Sequence, residues 1–282
     1  MSYIVTHDGK AHFDEMKACA DVIHTTSVDR IERREPTAEE LEDPSVWVLD
    51  EGGLWEPWRN NYDHHGVTST DCCFSMVLSA MDMSRAFQDA FGWYIPKIIR
   101  DNKGNAGVAQ WANIGTAKLV GCLMSNPIES WLLDEFGSHQ VIRPGDFVWE
   151  CLKRLGENLF SHVAHLDRRM EDYANHSQLV QAAGLSGLFM PAVNGMERGA
   201  FGMDQFRRRF HPDIGFTITP DTRGSGYSLY RYDELGLDFR KVRLDDRVKF
   251  VHQGGFTAST HSLLPLEELV ELVDRCAVLY CK

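Results

Sequence analysis

Residues 2–23 read SYIVTHDGKAHFDEMKACADVI, and two periodicities meet inside them. The opening SYIVTH is short and β-branched, which predicts a buried strand. After DGK, the residues Met16, Cys19, Ala20 and Ile23 fall at i, i+3, i+4 and i+7, the spacing of a helix face. Asp14 and Glu15 lie in its first turn, where the helix dipole favours negative charge. Further on, DRIERRE (29–35) reads as a polar strand and PTAEELED (36–43), with its early Pro, as a short helix or turn. SVWVLD (45–50) is a second apolar strand. Strand and helix in alternation predict a parallel α/β sheet. Such sheets bind ligands beyond the carboxyl ends of their strands. His7 stands at one strand end and Asp50 at another, and NYDHHGVT (61–68) follows after a short loop. In a strand, Asp63 and His65 would face away from His64; in a tight turn all three converge.

The 282 residues suffice for two domains, and with 43% apolar and 25% charged residues the chain has a globular composition. No apolar run reaches the ~18 residues of a membrane span, and MSYIVTHDGK lacks the basic-then-apolar order of a secretory signal. The seven Cys have no CxxC spacing, which points to a reduced, cytoplasmic protein without a thiolate zinc site. A net charge of -12 argues against an extended duplex-binding surface, which would be basic, but is compatible with a local basic groove or a small phosphorylated substrate. Residues 73–100 are helical by pattern with an interruption near Pro96. Asp101 ends that segment, and Asn102 and Gly104 predict a loop. A long helix is expected in 145–183. IGFTITP, YSLYRY and VKFVHQGG then read as strands, and PLEELVELVDRCAVLY as a closing helix. The organisation read from these signals is residues 1–145, a connecting helix in 146–185, and a smaller α/β domain over 186–282.

His7, His12, Asp14, Asp50, Asp63, His64, His65 and Asp101 mix carboxylates with imidazoles, which suits divalent ions of intermediate hardness such as manganese. Two such ions, ~3.5–4 Å apart, can activate a water and clamp the attacking and leaving oxygens of a phosphoryl group.

These residues carry a resemblance. Asp63-His64-His65, with THDGKAHFDE (6–15) and DEGG (50–53) before it, resembles the DHH phosphoesterase superfamily, and most closely its melanocyte-proliferating exonuclease branch. That branch opens on Thr-His-x-Gly-x-x-His-x-Asp-Glu, continues with Asp-x-Gly-Gly and Tyr-Asp-His-His, and ends with a Phe-Val-His and Gly-rich segment, matched here by FVHQGGFTAST (250–260). The resemblance implies a DHH-type parallel-sheet catalytic domain joined by a long helix to a substrate-binding domain. It also implies a two-metal phosphodiesterase using manganese, with magnesium as the alternative. His7, His12, Asp14, Asp50, His64 and Asp101 would be metal ligands, Asp50 the bridging one, and Asp63, His64 and His65 the catalytic triplet. His252, Gly254 and Gly255 would bind substrate phosphate, since Gly lets backbone amides approach an anion. The implied substrate is RNA or a short oligonucleotide cut from 3′ to 5′. The rival substrates are pyrophosphate, a nucleotide phosphate or a cyclic dinucleotide. Ala11 and Glu51 depart from the branch's aromatic and aliphatic residues and motivate a third reading, a catalytically silent regulatory protein. The sequence leaves the oligomeric state open, a homodimer included.

Other features have blander readings. Glu15 is a candidate partner for a ligating His. Cys72-Cys73 suggests a thiol nucleophile, but buried Cys is more often a small apolar residue. His162 and His165 share a helix face with no evident third ligand. Arg207–Arg209 in FRRRF read as a polar loop that could track a nucleic-acid backbone. Of the Trp residues, Trp55 and Trp58 are the two expected near the pocket.

Overall fold

In the computed structural model, which describes residues 2–66, 70–113, 126–232 and 236–278, the register of three parallel strands decides where the polar residues go. Strand β1 (Tyr3–Thr6) pairs on one side with β2 (Ile31–Arg33) and on the other with β3 (Val46–Leu49), and β3 pairs in turn with β5 (Asn61–Tyr62), all parallel. Edge strands β4 (Trp55–Glu56) and β6 (Val141–Ile142) run antiparallel, giving the order β4-β5-β3-β1-β2-β6. Thr6 is opposite Leu49, and Leu49 opposite Tyr62. The next residue of each chain, His7, Asp50 and Asp63, therefore emerges at one edge of the sheet.

The alternation that predicts a parallel sheet is borne out, and both faces are covered as such sheets require. Helix α1 (Phe13–Thr25) buries Met16, Cys19 and Ala20 in one cluster with Ile4, Ile31, Leu49, Phe136 and Leu152. Val5, Val46 and Val48 form the other face, with Leu41 of α2 (Ala38–Glu42) against it. Full burial of each such side chain is worth about 1.5–3 kcal/mol. A capping box starts α2: the Glu40 amide donates to the Thr37 hydroxyl at 3.2 Å, and the Thr37 amide donates to the Glu40 carboxylate at 2.8 Å.

The helical stretch after the DHH triplet is divided differently from the expectation. Helices α3 (Cys73–Ala80), α4 (Ser84–Ala90) and α5 (Tyr94–Trp111) are separated around residues 81–83 and 91–93. Pro96 sits in the first turn of α5, where its missing N–H has no intrahelical partner to lose. The stretch Tyr94–Trp111 is two helical pieces that meet at Gly104 (φ 63°, ψ −173°), so the expected break is present, but it falls after Asp101 and Asn102, which lie on the first piece. Helix α6 (Pro127–Gly137) follows, its Asn126 side chain capping the amides of Ile128 and Glu129.

The chain divides into two compact units, Met1–Val163 and Ala164–Lys282, and the division falls inside the long helix α7 (Phe147–His176). In the second unit a six-stranded sheet has the order β11-β12-β10-β9-β8-β7, built from β7 (Gln178–Ala182), β8 (Leu185–Phe189), β9 (Phe216–Pro220), β10 (Tyr227–Arg231), β11 (Val248–Val251) and β12 (Thr257–Thr260). Only the β8–β9 pair is parallel. Leu269, Leu272 and Val273 of α9 (Leu266–Asp274) share a core with Phe216, Ile218 and Leu229. FRRRF is not a loop: Arg207–Arg209 lie on α8 (Met203–Phe210), with Arg207 and Arg208 paired to Asp204 and Arg207 over the Tyr232 ring at 4.2 Å. Among the described residues no helix is long and apolar enough to cross a membrane.

Candidate metal centre

At the carboxyl edge of the first sheet, Asp50 adopts φ 57°, a left-handed conformation uncommon outside Gly, Asn and Asp, and is 2% exposed. Its Oδ2 lies 3.6 Å from His7 Nε2, and its Oδ1 lies 3.3 Å from His64 Nε2 and 3.6 Å from His65 Nδ1. Asp50 thus stands between two groups of donors, one with His7, His12 and Glu15, the other with His64 and His65. A third group joins Asp14, Asp101 and Cys72, and within each group the donor atoms lie within 4.8 Å of one another. His64 Nε2 reaches toward Asp14 Oδ2 at 3.6 Å, linking the second group to the third.

The imidazole orientations are fixed from behind. Asn102 donates its amide N–H groups to the carbonyls of Thr70, Asp71 and Ile98, so its Oδ1 is the atom that faces His64. The contact at 3.3 Å therefore has His64 Nδ1–H as donor, leaving Nε2 aimed at Asp50 and Asp14. His7 repeats the pattern: Nδ1–H donates to the Asp8 carbonyl at 2.6 Å, and Nε2 faces Glu15 and Asp50. A ring nitrogen lone pair aimed at a carboxylate is repulsive unless a proton or a metal ion lies between. The Glu15 contact pushes His7 up to about 9, and the contact with Asp50 raises His64.

The donor set fits divalent cations. Asp14 Oδ2, both oxygens of Asp50 and Asp101 Oδ2 are buried with no hydrogen-bond donor among the described residues. Burial, and then the charge of Asp50, holds the Asp14 and Asp101 carboxyls above the usual range; burial also raises Glu15. Buried carboxylates gathered this way cost several kcal/mol each unless positive charge is supplied.

Asp63 does a different task from its neighbours. One oxygen accepts from the Gly53 amide at 2.6 Å, and the other from the His65 amide and His65 Nδ1–H, each at 2.8 Å. It belongs to none of the three donor groups found among the described residues; it closes the turn and holds His65 through Nδ1. The Gly after the triplet follows from the same turn, because a Cβ on Gly66 would stand 2.3 Å from the Gly53 carbonyl oxygen.

A cavity of about 610 Å³ opens over this centre. His12, Asp14, His64, His65 and Asp101 line it, with Lys10, Lys97 and Arg100 among the other lining residues. Lys97 is paired with Glu129 and sits over the Phe13 ring at 4.1 Å, whereas Arg100 and Lys10 are exposed. Trp55 and Trp58 do not line it; they lie on the edge strand β4 and the 3-10 turn after it, and Trp58 is 71% exposed. His162 and His165 face different partners, His162 stacking on Phe91 and His165 on Phe201. Ala11 is buried, with its Cβ directed at Gly137.

Two supporting residues escape a sequence reading. Arg33, 3% exposed, donates to the carbonyls of Gly137 and Gly9 and lies 3.5 Å from Glu15, behind His7. Period-two alternation from Ile31 was the available signal for it. Asn102, the orienter of His64, was hidden by the expectation of a loop.

In the second unit, His252 Nδ1 accepts from the Gly254 amide at 3.0 Å and its ring packs on Phe256 at 4.2 Å. Phe256 continues to Tyr230, and Tyr230 to Tyr232, at 6.0 and 5.1 Å. Arg231 reaches the Gly254 carbonyl at 3.4 Å.

Comparison with known proteins agrees with the motifs at the N-terminus. Residues 3–81 match the model of the MYG1_exonuc family, described as an uncharacterised protein family (UPF0160). The matched residues contain β1, α1, β3 and the DHH triplet, which bring His7, His12, Asp14, Asp50 and His64 to one edge. A solved chain described as the DHH domain of a member of the s1p family of ribosomal proteins is similar at 13% identity and a TM-score of 0.33, covering 96% of this chain and 85% of that one. No curated protein matches the sequence.

Proposed function

We propose that the protein is a metal-dependent phosphodiesterase that trims RNA or short oligonucleotides from the 3′ end. The observation that carries this reading is the set of buried, donorless carboxylate oxygens facing two oriented imidazoles beneath a cavity. Two divalent ions, of which manganese suits the oxygen and nitrogen donors best, would lower the pKa of a water and stabilise charge on the phosphoryl oxygens. His7, His12 and Asp50 would hold one ion, and Asp14, His64 and Asp101 the other, with Asp50 shared.

The chain's own groups supply the remainder. Asp63 holds His65 through Nδ1, and His65 lines the cavity, where its other ring nitrogen would take up or deliver a proton. Lys10 and Arg100 offer cations to a phosphate in the cavity. In the second unit, the chain of rings from His252 through Phe256 to Tyr230, beside Arg231, is of the kind on which unpaired bases stack.

A narrower reading, hydrolysis of a small phosphorylated molecule, is favoured by the size of the cavity and by the net charge of -12. A substrate panel with manganese separates the two. Release of mononucleotides from 3′-labelled RNA is expected. Cleavage confined to pyrophosphate, nucleotides or cyclic dinucleotides overturns the exonuclease, and a calorimetric titration without a divalent site overturns both.

A further inference from the structure

Two cysteines in succession have opposite surroundings. Cys73 packs in the apolar core with Met76 and Val77. Cys72, just as buried, stands apart from that core, and its Sγ meets the carboxylates of Asp14 and Asp101. All three donor atoms lie within 4.8 Å of one another. Two donors on opposite sides of one ion stand about 4.0–4.6 Å apart, given bonds of about 2.0–2.3 Å.

We propose that Cys72 is a thiolate ligand of the ion held by Asp14, His64 and Asp101, and that it biases this position toward zinc or cobalt over magnesium. The inference rests on the metal-centre reading above and adds a donor that the reading does not contain. Its independent support is Asp14, 1% exposed, whose Oδ2 has no hydrogen-bond donor among the described residues although a thiol lies within reach; Asp101 Oδ2 is in the same condition. A neutral thiol has one weak proton to donate and leaves these oxygens stranded. A cation satisfies sulfur and both carboxylates at once, and a coordinating thiol is deprotonated by the ion it binds. Cys72 also immediately precedes α3, whose N-terminal amides favour a negative sulfur.

With His64 Nε2 3.6 Å from Asp14 Oδ2, the donors comprise one sulfur, one nitrogen and two carboxylates. Magnesium prefers oxygen alone, whereas zinc and cobalt accept this mixture. The two positions of the centre then differ: the one at His7 and His12 has no sulfur, so the ions need not be the same element.

Cobalt(II) loaded into the full-length metal-free protein tests this by absorption spectroscopy. Visible ligand-field bands report cobalt in the centre, and a near-ultraviolet sulfur-to-cobalt band reports a thiolate on it. Both are expected in the unsubstituted protein. The ultraviolet band should disappear in Cys72→Ser, with the visible bands retained, and should persist in Cys73→Ser. Visible bands without the ultraviolet one overturn the Cys72 assignment and leave the metal centre standing. An ultraviolet band that survives Cys72→Ser belongs to another thiol and also overturns it. Absence of any cobalt band removes the metal-centre reading itself, and Cys72 with it. Should Cys72→Ser not fold, Cys72→Ala takes its place, and the unsubstituted protein alone still decides by the presence or absence of the ultraviolet band.

Discussion

The two units each bury charge, and they treat it in opposite ways. In the second, Arg169 is 1% exposed, yet its guanidinium donates to the carbonyls of Glu197 and Gly199, to Asp172 and to the Tyr173 hydroxyl. Tyr173 in turn donates to the Phe201 carbonyl at 2.8 Å. Both terminal nitrogens of Arg169 are answered by protein atoms, and only its Nε has no partner among the described residues. At the sheet edge of the first unit, Asp14, Asp50 and Asp101 keep oxygens that nothing answers. A buried charge answered mainly from within serves the fold; a cluster of like charges left unanswered is arranged for something that arrives from outside.

The contrast can be broken most forcefully at Asp50. Replacing Asp50 with Asn should reduce manganese-dependent hydrolysis by about 10³-fold or more. The same change should raise the stability of the metal-free protein by about 1 kcal/mol, since it relieves repulsion at a site kept for ligand. Steady-state rates and urea unfolding read the two effects; a destabilised Asn variant would mean that Asp50 is structural. Arg169→Ala is the opposite case. It should cost about 3–5 kcal/mol of unfolding free energy, because the network loses its charge and its centre, while the calorimetric affinity for manganese is unchanged.

A pH series sharpens the comparison within the metal centre. His7 is raised to about 9 from 6.5, so its contribution to metal-free stability is complete below pH 6.5 and fades as the pH climbs through 9. Asp14, Glu15 and Asp101 are raised as well, and their contributions likewise fade as the pH rises. Metal ions replace those protons. The gain in Tm on adding manganese should therefore widen by roughly 5 °C between pH 6.5 and 9; a constant or shrinking gain in calorimetric scans would contradict this account.

Smaller effects are expected elsewhere. Gly255 has φ 67°, and a Cβ there would meet Asp238 Oδ1 at 2.2 Å, so Gly255→Ala should cost about 1–2 kcal/mol. If its turn holds substrate, KM for RNA should rise with kcat nearly unchanged. The least effect concerns Asp21, a fully buried carboxylate on α1 with no donor and no carboxylate cluster around it; burial raises its pKa. Asp21→Asn should change stability by less than about 1 kcal/mol and leave manganese binding as it was.

Much of the first sheet was legible because β-branched runs and a helical apolar face leave strong periodic signals, as in β1, α1 and β3. The hairpin of β7 and β8 was not, because its turn is Ala183-Gly184, with Ala183 at φ 55° in place of the usual Asn or Asp. α8 was obscured by its consecutive arginines, and the first half of α5 by Gly104, which breaks the helix two residues later than Asn102. Motif order alone proposes His7, His12, Asp14, Asp50, His64 and Asp101 as candidate donors, and the donor groups add Glu15 and Cys72. What the sequence could not disclose was how they divide: Asp63 turned toward the backbone, Asn102 setting a tautomer, and Cys72, at the N-cap of α3, placed beside carboxylates while Cys73 enters the core.

The alignment of Thr6, Leu49 and Tyr62 has one more consequence. Adding or deleting a single residue within any of the three strands would reverse which way its last side chain points, dismantling the centre with every donor still present in the sequence. Loops that follow the strand ends carry no such penalty. Lineages of this protein should therefore vary freely in the length of their connections while the spans from Tyr3 to His7 and from Val46 to Asp50 stay fixed in length.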